Sequence, residues 1–450
     1  MKIQHRNEIQ ILIIFICILL TCVISLYADN SYKYFGAYSL IVLFFSLYVL
    51  RKIKKYDWIS FPIIFMVLVW IFHFSFFVLY FFGKESVIAI NDLLRYDSNV
   101  VIKSFYVGIF FYLCLLAGLC VSKFGVKSKI YLVECKLTNK FVNNMRVIFV
   151  ITLVPYLIYS VRALFMRGYG AVRASIMTGA LSYVSLICYS TAIIIFFWDV
   201  KNNKTIRCLF LMAVFAIQIF SGQRFDSVCI EIVFFIILLS HKKVELKRIV
   251  ILVVLGLISI YFLNIIGTYR FDFNLMKEKM FAEESFQTFW EMNPLFMLFS
   301  DFGGTIASLL SAVKNFNLSN YFFGITYIVA AFYIFPMASR FFPEEYLNFV
   351  NAFPLYEKRS LGGSVLGEAY VNFGIFGGIV LFLLGIFISR LYSRQKNTKN
   401  EFYYCWSFIC FLQILNLVRG YVKNVVFLSF WMFIVVIILS KSSKSIGSNK

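Results

Sequence analysis

Long apolar segments recur along almost the whole chain, and no other feature of the sequence constrains the fold as strongly. A helix needs about 20 apolar residues to cross the hydrocarbon core of a bilayer. Hydrophobic residues make up 61% of the chain and charged residues 14%, whereas soluble domains carry about 25% charged residues. The sequence therefore predicts an all-α polytopic membrane protein with about 12 transmembrane helices. The apolar segments lie at about 9–28, 34–50, 59–82, 104–122, 147–165, 179–198, 208–220, 226–240, 249–267, 366–388, 402–418 and 425–440.

Basic residues alternate between the two sides of these predicted helices. The chain has 43 Lys and Arg against 22 Asp and Glu, which gives a formal net charge of +21. Because loops rich in Lys and Arg stay in the cytoplasm, both termini are predicted to be cytoplasmic. The basic excess is thus a topology signal, and we expect no nucleic-acid partner. Most of it falls at the two termini and in every second connection, at 51–55, 123–146, 201–207, 242–248 and 390–399.

One connection is much longer than the others and divides the chain into three parts. We predict nine spans in 1–267, a large extracytoplasmic loop in 268–365 and three spans in 366–450. The long segment contains helix-like stretches at 282–293 and 303–314. An apolar run from Tyr321 to Pro336 is predicted to lie at the membrane interface or to re-enter it. A single large outer loop is more typical of a membrane enzyme than of a transporter, whose spans usually form inverted repeats.

Ionisable residues cluster where the predicted helices reach the outer side. Arg224 precedes the eighth span, and Arg270 follows the ninth. Arg419 follows the eleventh span, and Glu368 opens the tenth, four residues before Asn372 and on the same helix face. Arg presents a planar fork that suits phosphate, and charges at this depth usually face the bundle interior or a cavity. The sequence predicts a site at these outer ends, and the alternative is that each Arg reaches the lipid headgroups.

The predicted outer loops contain no His and no Asp-x-Asp pair. His5 and His241 are placed in the cytoplasm, and His73 lies inside the third span. We therefore expect neither a metal ion nor another cofactor at the outer side. If glycosyl transfer takes place there, its general base would be a carboxylate, or the acceptor would be activated in another way. The candidates are Glu368, Asp226, Asp272 and Asp301.

Three segments make the chain resemble the Wzy-type oligosaccharide repeat-unit polymerases, which build bacterial O-antigen and capsular polysaccharide. The first, Ser-Gly-Gln-Arg at 221–224, is similar to the family's Gly-Ser-Arg element, with Gln in place of the usual Ser. The second is the Gly-x-x-Tyr segment at 324–327, which Pro336 and Pro343 follow. The third, at 362–374, begins Gly-Gly-Ser and continues through Gly-Glu-Ala-Tyr to Asn-Phe-Gly.

This resemblance implies a substrate, a reaction and a location. The substrates are glycan repeat units linked by pyrophosphate to undecaprenol, at the outer face of the bacterial cytoplasmic membrane. The growing glycan is transferred from its lipid carrier to a sugar hydroxyl of an incoming lipid-linked unit. The implied partners are these lipid-linked oligosaccharides, membrane lipids and a chain-length regulator protein.

The resemblance also assigns roles to the residues at the outer ends. Arg224, Arg270 and Arg419 would stabilise the pyrophosphate leaving group without a metal ion. Glu368 would act as the base on the acceptor hydroxyl, or would orient that hydroxyl. Apart from the resemblance, the Gly pair that contains Gly363 would itself let backbone amides approach an anion. The expected substrate-binding residues are Arg340, Arg359, Asn372 and Gly363.

Other classes of membrane protein stay open. A lipid-linked glycan flippase, which is not an enzyme, would line a central cavity with charge and would need no large loop. An O-antigen ligase-like glycosyltransferase shares the general plan, but that family relies on a His in an outer loop. A lipid-linked-sugar glycosyltransferase would favour an acidic site in the first outer loop, where Asp29 lies.

Overall fold

The chain is mainly helical in the residues that the structure describes. The computed structural model describes residues 33–84, 96–121, 136–165, 178–220, 224–241, 246–269, 273–335, 340–358 and 362–445, and no β-strand is present in these ranges. The helices are α1 Lys33–Tyr48, α2 Phe61–Phe81, α3 Ser98–Val121, α4 Asn139–Phe165, α5 Thr178–Lys201, α6 Thr205–Phe220, α7 Arg224–His241, α8 Leu246–Tyr269, α9 Phe273–Met280, α10 Glu283–Glu291, α11 Pro294–Gly303, α12 Ile306–Asn315, α13 Ile325–Phe332, α14 Glu344–Leu347, α15 Leu355–Lys358, α16 Val365–Phe373, α17 Gly377–Asn397, α18 Glu401–Leu417 and α19 Val422–Ser445.

A helix lies at each predicted span from 34–50 onwards, while the first span, 9–28, falls outside the described residues. Among the described residues, 7 helical segments are long and apolar enough to cross a membrane. The all-α membrane class is thereby confirmed, and the count of about 12 spans stays a prediction. The segments are Tyr34–Ile53, Phe61–Phe81, Ser98–Val121, Asn139–Ile158, Val184–Lys201, Pro294–Asn315 and Val365–Asn397.

One of these segments, Pro294–Asn315, lies inside the predicted outer loop 268–365. It consists of α11 and α12. The helix-like stretches expected at 282–293 and 303–314 are confirmed as α10 and α12, and the apolar run after Tyr321 contains α13. The extent of the outer loop and the interfacial position of α13 stay predictions.

The chain divides into two compact units, each of which combines segments from more than one of the three predicted parts. Unit 1 contains Met1–Tyr131, Phe299–Asn397 and Leu417–Phe427. Unit 2 contains Leu132–Leu298, Thr398–Asn416 and Leu428–Lys450.

In unit 1, two long helices pack closely against each other at glycine residues. Helix α17 packs along α3, and a Cβ at Gly378 would lie 2.6 Å from the Phe110 ring. Small residues allow this approach of helices in membranes. Gly374 has a different role, because its φ of +56° turns the chain between α16 and α17. This turn ends α16 and separates it from the long helix α17.

Unit 2 is held by helix packing and by ion pairs near the ends of α4, α5 and α18. Helix α5 packs against α4 and α7. Arg146 pairs with the buried Asp199 at 2.7 Å, and Lys201 pairs with Glu401. These ion pairs join connections that the sequence predicts to lie in the cytoplasm.

Candidate functional site

Two of the three family-like segments contact each other in unit 1. The backbone N–H of Phe322 donates to the carbonyl oxygen of Val371 at 3.0 Å. The N–H of Gly324 donates to the side-chain oxygen of Asn372 at 3.1 Å. Gly324 has a φ of +87°, and a Cβ there would lie 2.9 Å from the Phe373 ring, so the position favours glycine. The Gly-x-x-Tyr segment therefore packs directly against α16.

Asn372 holds this contact together. Its side chain is 0% exposed. Its amide nitrogen donates to the Thr326 hydroxyl at 2.8 Å and to the Glu368 carbonyl oxygen at 2.8 Å, while its oxygen accepts from Gly324. A buried amide with its donors and acceptor satisfied specifies one geometry. Asn372 thus fixes the start of α13 against the turn of α16 that carries Glu368.

Glu368 lies at the meeting point of three segments of unit 1. It is 2% exposed, and its Oε2 accepts the backbone N–H of Val422 at 3.0 Å. The Thr326 hydroxyl lies close to the same carboxylate. Val422 is the first residue of α19, and the N-terminus of a helix favours negative charge. The carboxylate is therefore held by the beginnings of α13 and α19 rather than by a direct ion pair.

Lys423 brings a buried cation to the same place. Its side chain is 9% exposed, and its ammonium group lies 5.0 Å from the centre of the Tyr333 ring and 5.7 Å from that of Tyr421. It is near enough to Glu368 for the two charges to interact. The sequence offered one signal for Lys423, a second cation four residues after Arg419, and we did not predict it as a site residue.

The glycine pair of the third segment packs against the turn that contains Arg419. A Cβ at Gly362 would lie 3.5 Å from Nε of Arg419. Gly363 approaches the backbone of Gly420 so closely that a Cβ does not fit. Arg419 itself is exposed. These contacts place Arg419 beside the start of α16, and they give Gly363 a packing role in addition to its predicted role in substrate binding.

His73 lies next to the beginning of α16, although the sequence suggests no connection between them. It is 0% exposed on α2. Its Nδ1 lies 2.9 Å from the carbonyl oxygen of Val69 and its Nε2 lies 2.8 Å from the Ser364 hydroxyl. The carbonyl requires the proton on Nδ1, so Nε2 accepts from Ser364. Ser364 in turn accepts the N–H of Gly367 at 3.1 Å as the N-cap of α16.

The remaining predicted site residues lie elsewhere in the chain or outside the described residues. Arg270, Arg359 and the carboxylate candidate Asp272 lie outside the described residues. Arg224 begins α7 in unit 2, where Asp226 also lies. Arg340 is exposed in unit 1, and Asp301 lies on α11. The structure therefore groups Glu368, Asn372, Gly363 and Arg419, and the convergence of the other Arg residues on them stays a prediction.

The grouped side chains have a defined chemistry. A fixed carboxylate can accept the proton of a hydroxyl group, and the neighbouring cations favour an anionic group close by. Within the described ranges, no group of three His, Cys, Asp or Glu side chains is placed to hold a metal ion.

Comparison with known proteins gives one match. A family model described as O-antigen polysaccharide polymerase Wzy matches residues 9–445, which is nearly the whole chain. No curated protein and no solved structure matches. The chain therefore belongs to the O-antigen polysaccharide polymerase Wzy family, whose members are multi-pass bacterial membrane proteins that act as glycosyltransferase-like polymerases on lipid-linked oligosaccharide repeat units.

Proposed function

We propose that the chain joins oligosaccharide repeat units linked by pyrophosphate to undecaprenol, and so builds O-antigen or capsular polysaccharide. The reaction takes place at the outer face of the bacterial cytoplasmic membrane, with both termini of the chain in the cytoplasm. A sugar hydroxyl of the incoming unit attacks the anomeric carbon of the growing glycan. The bond from that carbon to undecaprenyl pyrophosphate breaks, and the hydroxyl loses its proton. A chain-length regulator protein is a proposed partner.

Glu368 is the proposed base on the acceptor hydroxyl, or the group that orients it. The observation that carries this assignment is the packing of the two family-like segments around its buried carboxylate. Because the Val422 N–H fixes one carboxylate oxygen, the other can be aimed at a hydroxyl without a loss of order at the moment of reaction.

Arg224, Arg270 and Arg419 are proposed to stabilise the charge that develops on the pyrophosphate leaving group. Loss of one such group typically reduces the rate by about 10²–10³. Arg419 has the best structural support, because it lies beside the start of α16 in the same unit as Glu368. The mechanism needs no metal ion, since fixed cations take the role that a divalent ion would have. The proposed substrate-binding residues are Arg340, Arg359, Asn372 and Gly363.

Replacement of Glu368 by Gln tests the proposal. In a deletion strain that carries Glu368→Gln, we expect surface glycan with a single repeat unit, because the amide keeps the Val422 contact but cannot take a proton. The measurement is the length profile of surface glycan, with protein level followed by immunoblot.

Glu357→Gln is the matched control, because Glu357 is also a buried carboxylate of unit 1 and is paired with Lys314. We expect it to keep the normal ladder of chain lengths. A normal ladder from Glu368→Gln would contradict the assignment of Glu368. Complete absence of surface glycan in the deletion strain would instead indicate a flippase.

A further inference from the structure

Lys423 is a buried cation for which the described part of the chain provides no direct counter-ion. Its ammonium group faces two aromatic rings, and no hydrogen bond or ion pair joins it to another described residue. Ring faces attract a cation, but they do not replace the three acceptors that an ammonium group can bind. Burial of a charge without a hydrogen-bonded partner is unfavourable. An additional acceptor at this position would offset that cost.

The position of Lys423 in the chain links it to the proposed base. It follows Val422, whose N–H holds the Glu368 carboxylate. The charges of Lys423 and Glu368 interact, but no ion pair within 4.0 Å joins the two residues. A phosphate that approached the site would be repelled by Glu368. The ammonium group of Lys423, together with the N-terminus of α19, would offset this repulsion.

We propose that Lys423 binds a phosphate group of the lipid-linked substrate next to Glu368. The proposal rests on the proposed function and adds a substrate-binding residue to it. The ammonium group donates to phosphate oxygens while Tyr333 and Tyr421 hold it in place from their ring faces. Arg419, four residues earlier and exposed, lies at the outer edge of the same group of residues. The two cations therefore differ in role, because Lys423 is positioned to bind inside the site and Arg419 at its edge.

Lipid binding by the purified full-length protein tests this role. The protein is placed in phosphatidylcholine nanodiscs, and the affinities for undecaprenyl pyrophosphate and for uncharged undecaprenol are measured. We expect Lys423→Met to weaken binding of undecaprenyl pyrophosphate by about tenfold to hundredfold, since charge-assisted hydrogen bonds are lost. Binding of undecaprenol should not change. Lys423→Arg should keep most of the affinity because it keeps the charge.

Lys103→Met is the matched control, because Lys103 is an exposed lysine of α3 in the same unit. We expect it to leave both affinities unchanged. A second arm replaces part of the phosphatidylcholine by phosphatidylglycerol. If phosphatidylglycerol displaces undecaprenyl pyrophosphate at equal concentration, Lys423 binds a phospholipid headgroup and the proposal is wrong.

Two other results would overturn the proposal. One is that Lys423→Met binds undecaprenyl pyrophosphate with wild-type affinity. The other is that Lys423→Met loses affinity for undecaprenyl pyrophosphate and for undecaprenol equally, which indicates a purely structural role. If Lys423→Met does not accumulate, Lys423→Gln and Lys423→Arg are compared instead. For each variant, the affinity for undecaprenyl pyrophosphate is divided by the affinity for undecaprenol. Equal ratios in the two variants overturn the proposal. Glu368→Gln should bind undecaprenyl pyrophosphate at least as tightly as the wild type, because the repulsion between its carboxylate and the phosphate is removed. Failure of the wild-type protein to bind it would refute the proposed substrate itself, whatever Lys423 does.

Discussion

Glu357 shows how a single carboxylate outside the predicted spans is stabilised in its charged form. Burial alone would raise its pKa, but hydrogen bonds from Lys314 and Asn315, each at 2.9 Å, outweigh burial and lower the pKa below its ordinary value. Glu357 belongs to α15, and its two partners end α12. The interaction therefore joins two helices that are distant in sequence.

The lowered pKa predicts that this contact stabilises the protein at neutral pH and is lost in acid. A carboxylate with a depressed pKa contributes stability above its unfolded pKa of about 4.3, and the contribution disappears as pH falls through the folded pKa. Glu357→Gln should lower the free energy of unfolding at pH 7. The expected loss is only about 1 kcal/mol, because Lys314 is partly exposed and water screens the pair. The difference in Tm between wild type and Glu357→Gln, measured in detergent from pH 7 to pH 3, should shrink on acidification.

Glu344→Gln is the control for this experiment, because Glu344 is an exposed carboxylate in the first turn of α14. The difference in Tm between Glu344→Gln and the wild type should stay small at every pH. A difference for Glu357→Gln that does not depend on pH would contradict the assigned pKa direction.

Single residues of the candidate site were predictable only where sequence-local geometry determines them. The four-residue spacing of Glu368 and Asn372 places both on one helix face, and the Asn372 amide indeed reaches the Glu368 carbonyl oxygen. The partners of these residues come from elsewhere. Lys423 and His73 contact α16 or its neighbours across long separations, 291 residues between His73 and Ser364. Periodicity and spacing carry no information on such contacts.

At the scale of the element, α16 is the helix whose position determines the site. It has 9 residues, and its N-cap Ser364 is held by His73 of α2. The Glu368 N–H donates to the Ser364 carbonyl oxygen at 2.8 Å, in the first turn. Any rotation of this first turn would move the carboxylate. We therefore expect the cap to position Glu368, with His73 acting on it through Ser364.

Substitution of His73 should separate positioning from stability. His73→Leu removes the acceptor of the Ser364 hydroxyl, and we expect a loss of about 1 kcal/mol from the weakened cap together with shorter surface glycan. His73→Gln, whose amide can bond Ser364, should restore part of the chain length. The measurements are Tm in detergent and the surface glycan ladder.

Ser389→Ala is a matched control, because it removes a buried hydrogen bond of unit 1, the 2.7 Å contact with Tyr56, without touching α16. It should cost similar stability and leave the ladder normal. If His73→Leu and Ser389→Ala change the ladder equally at equal protein level, His73 does not position Glu368.

At the scale of the whole molecule, hydropathy predicted where the helices lie, but not whether each helix faces lipid or protein. An apolar stretch of about 20 residues is long enough to cross a bilayer, and helices lie at every predicted span within the described residues. Hydropathy does not distinguish a side chain that faces lipid from one that faces protein. In α12, Ile306, Leu309 and Leu310 are 0% exposed because α12 packs against α16 and α3. This burial explains the apolar character of α12 without a membrane crossing.

The segment Pro294–Asn315 therefore provides a decisive test of the predicted topology. If it crossed the membrane, the helices after it would be inverted and the basic connection at 390–399 would move to the outer side, against the positive-inside rule. We expect it to stay on the outer side, so that both of its flanks are extracytoplasmic. Glu291 and Leu318 are exposed on those flanks, and Asn203 is exposed in a connection predicted to be cytoplasmic.

Single cysteines at these three positions make the test direct. In intact spheroplasts, a membrane-impermeant thiol reagent should label Glu291→Cys and Leu318→Cys, and should label Asn203→Cys only after the membrane is opened. The unsubstituted chain, with its ten Cys, measures the background. Labelling of only one of Glu291→Cys and Leu318→Cys would mean that the segment crosses the membrane. The basic loop at 390–399 would then lie outside unless a further crossing follows, and the orientation read from the +21 net charge would need one more span before α16.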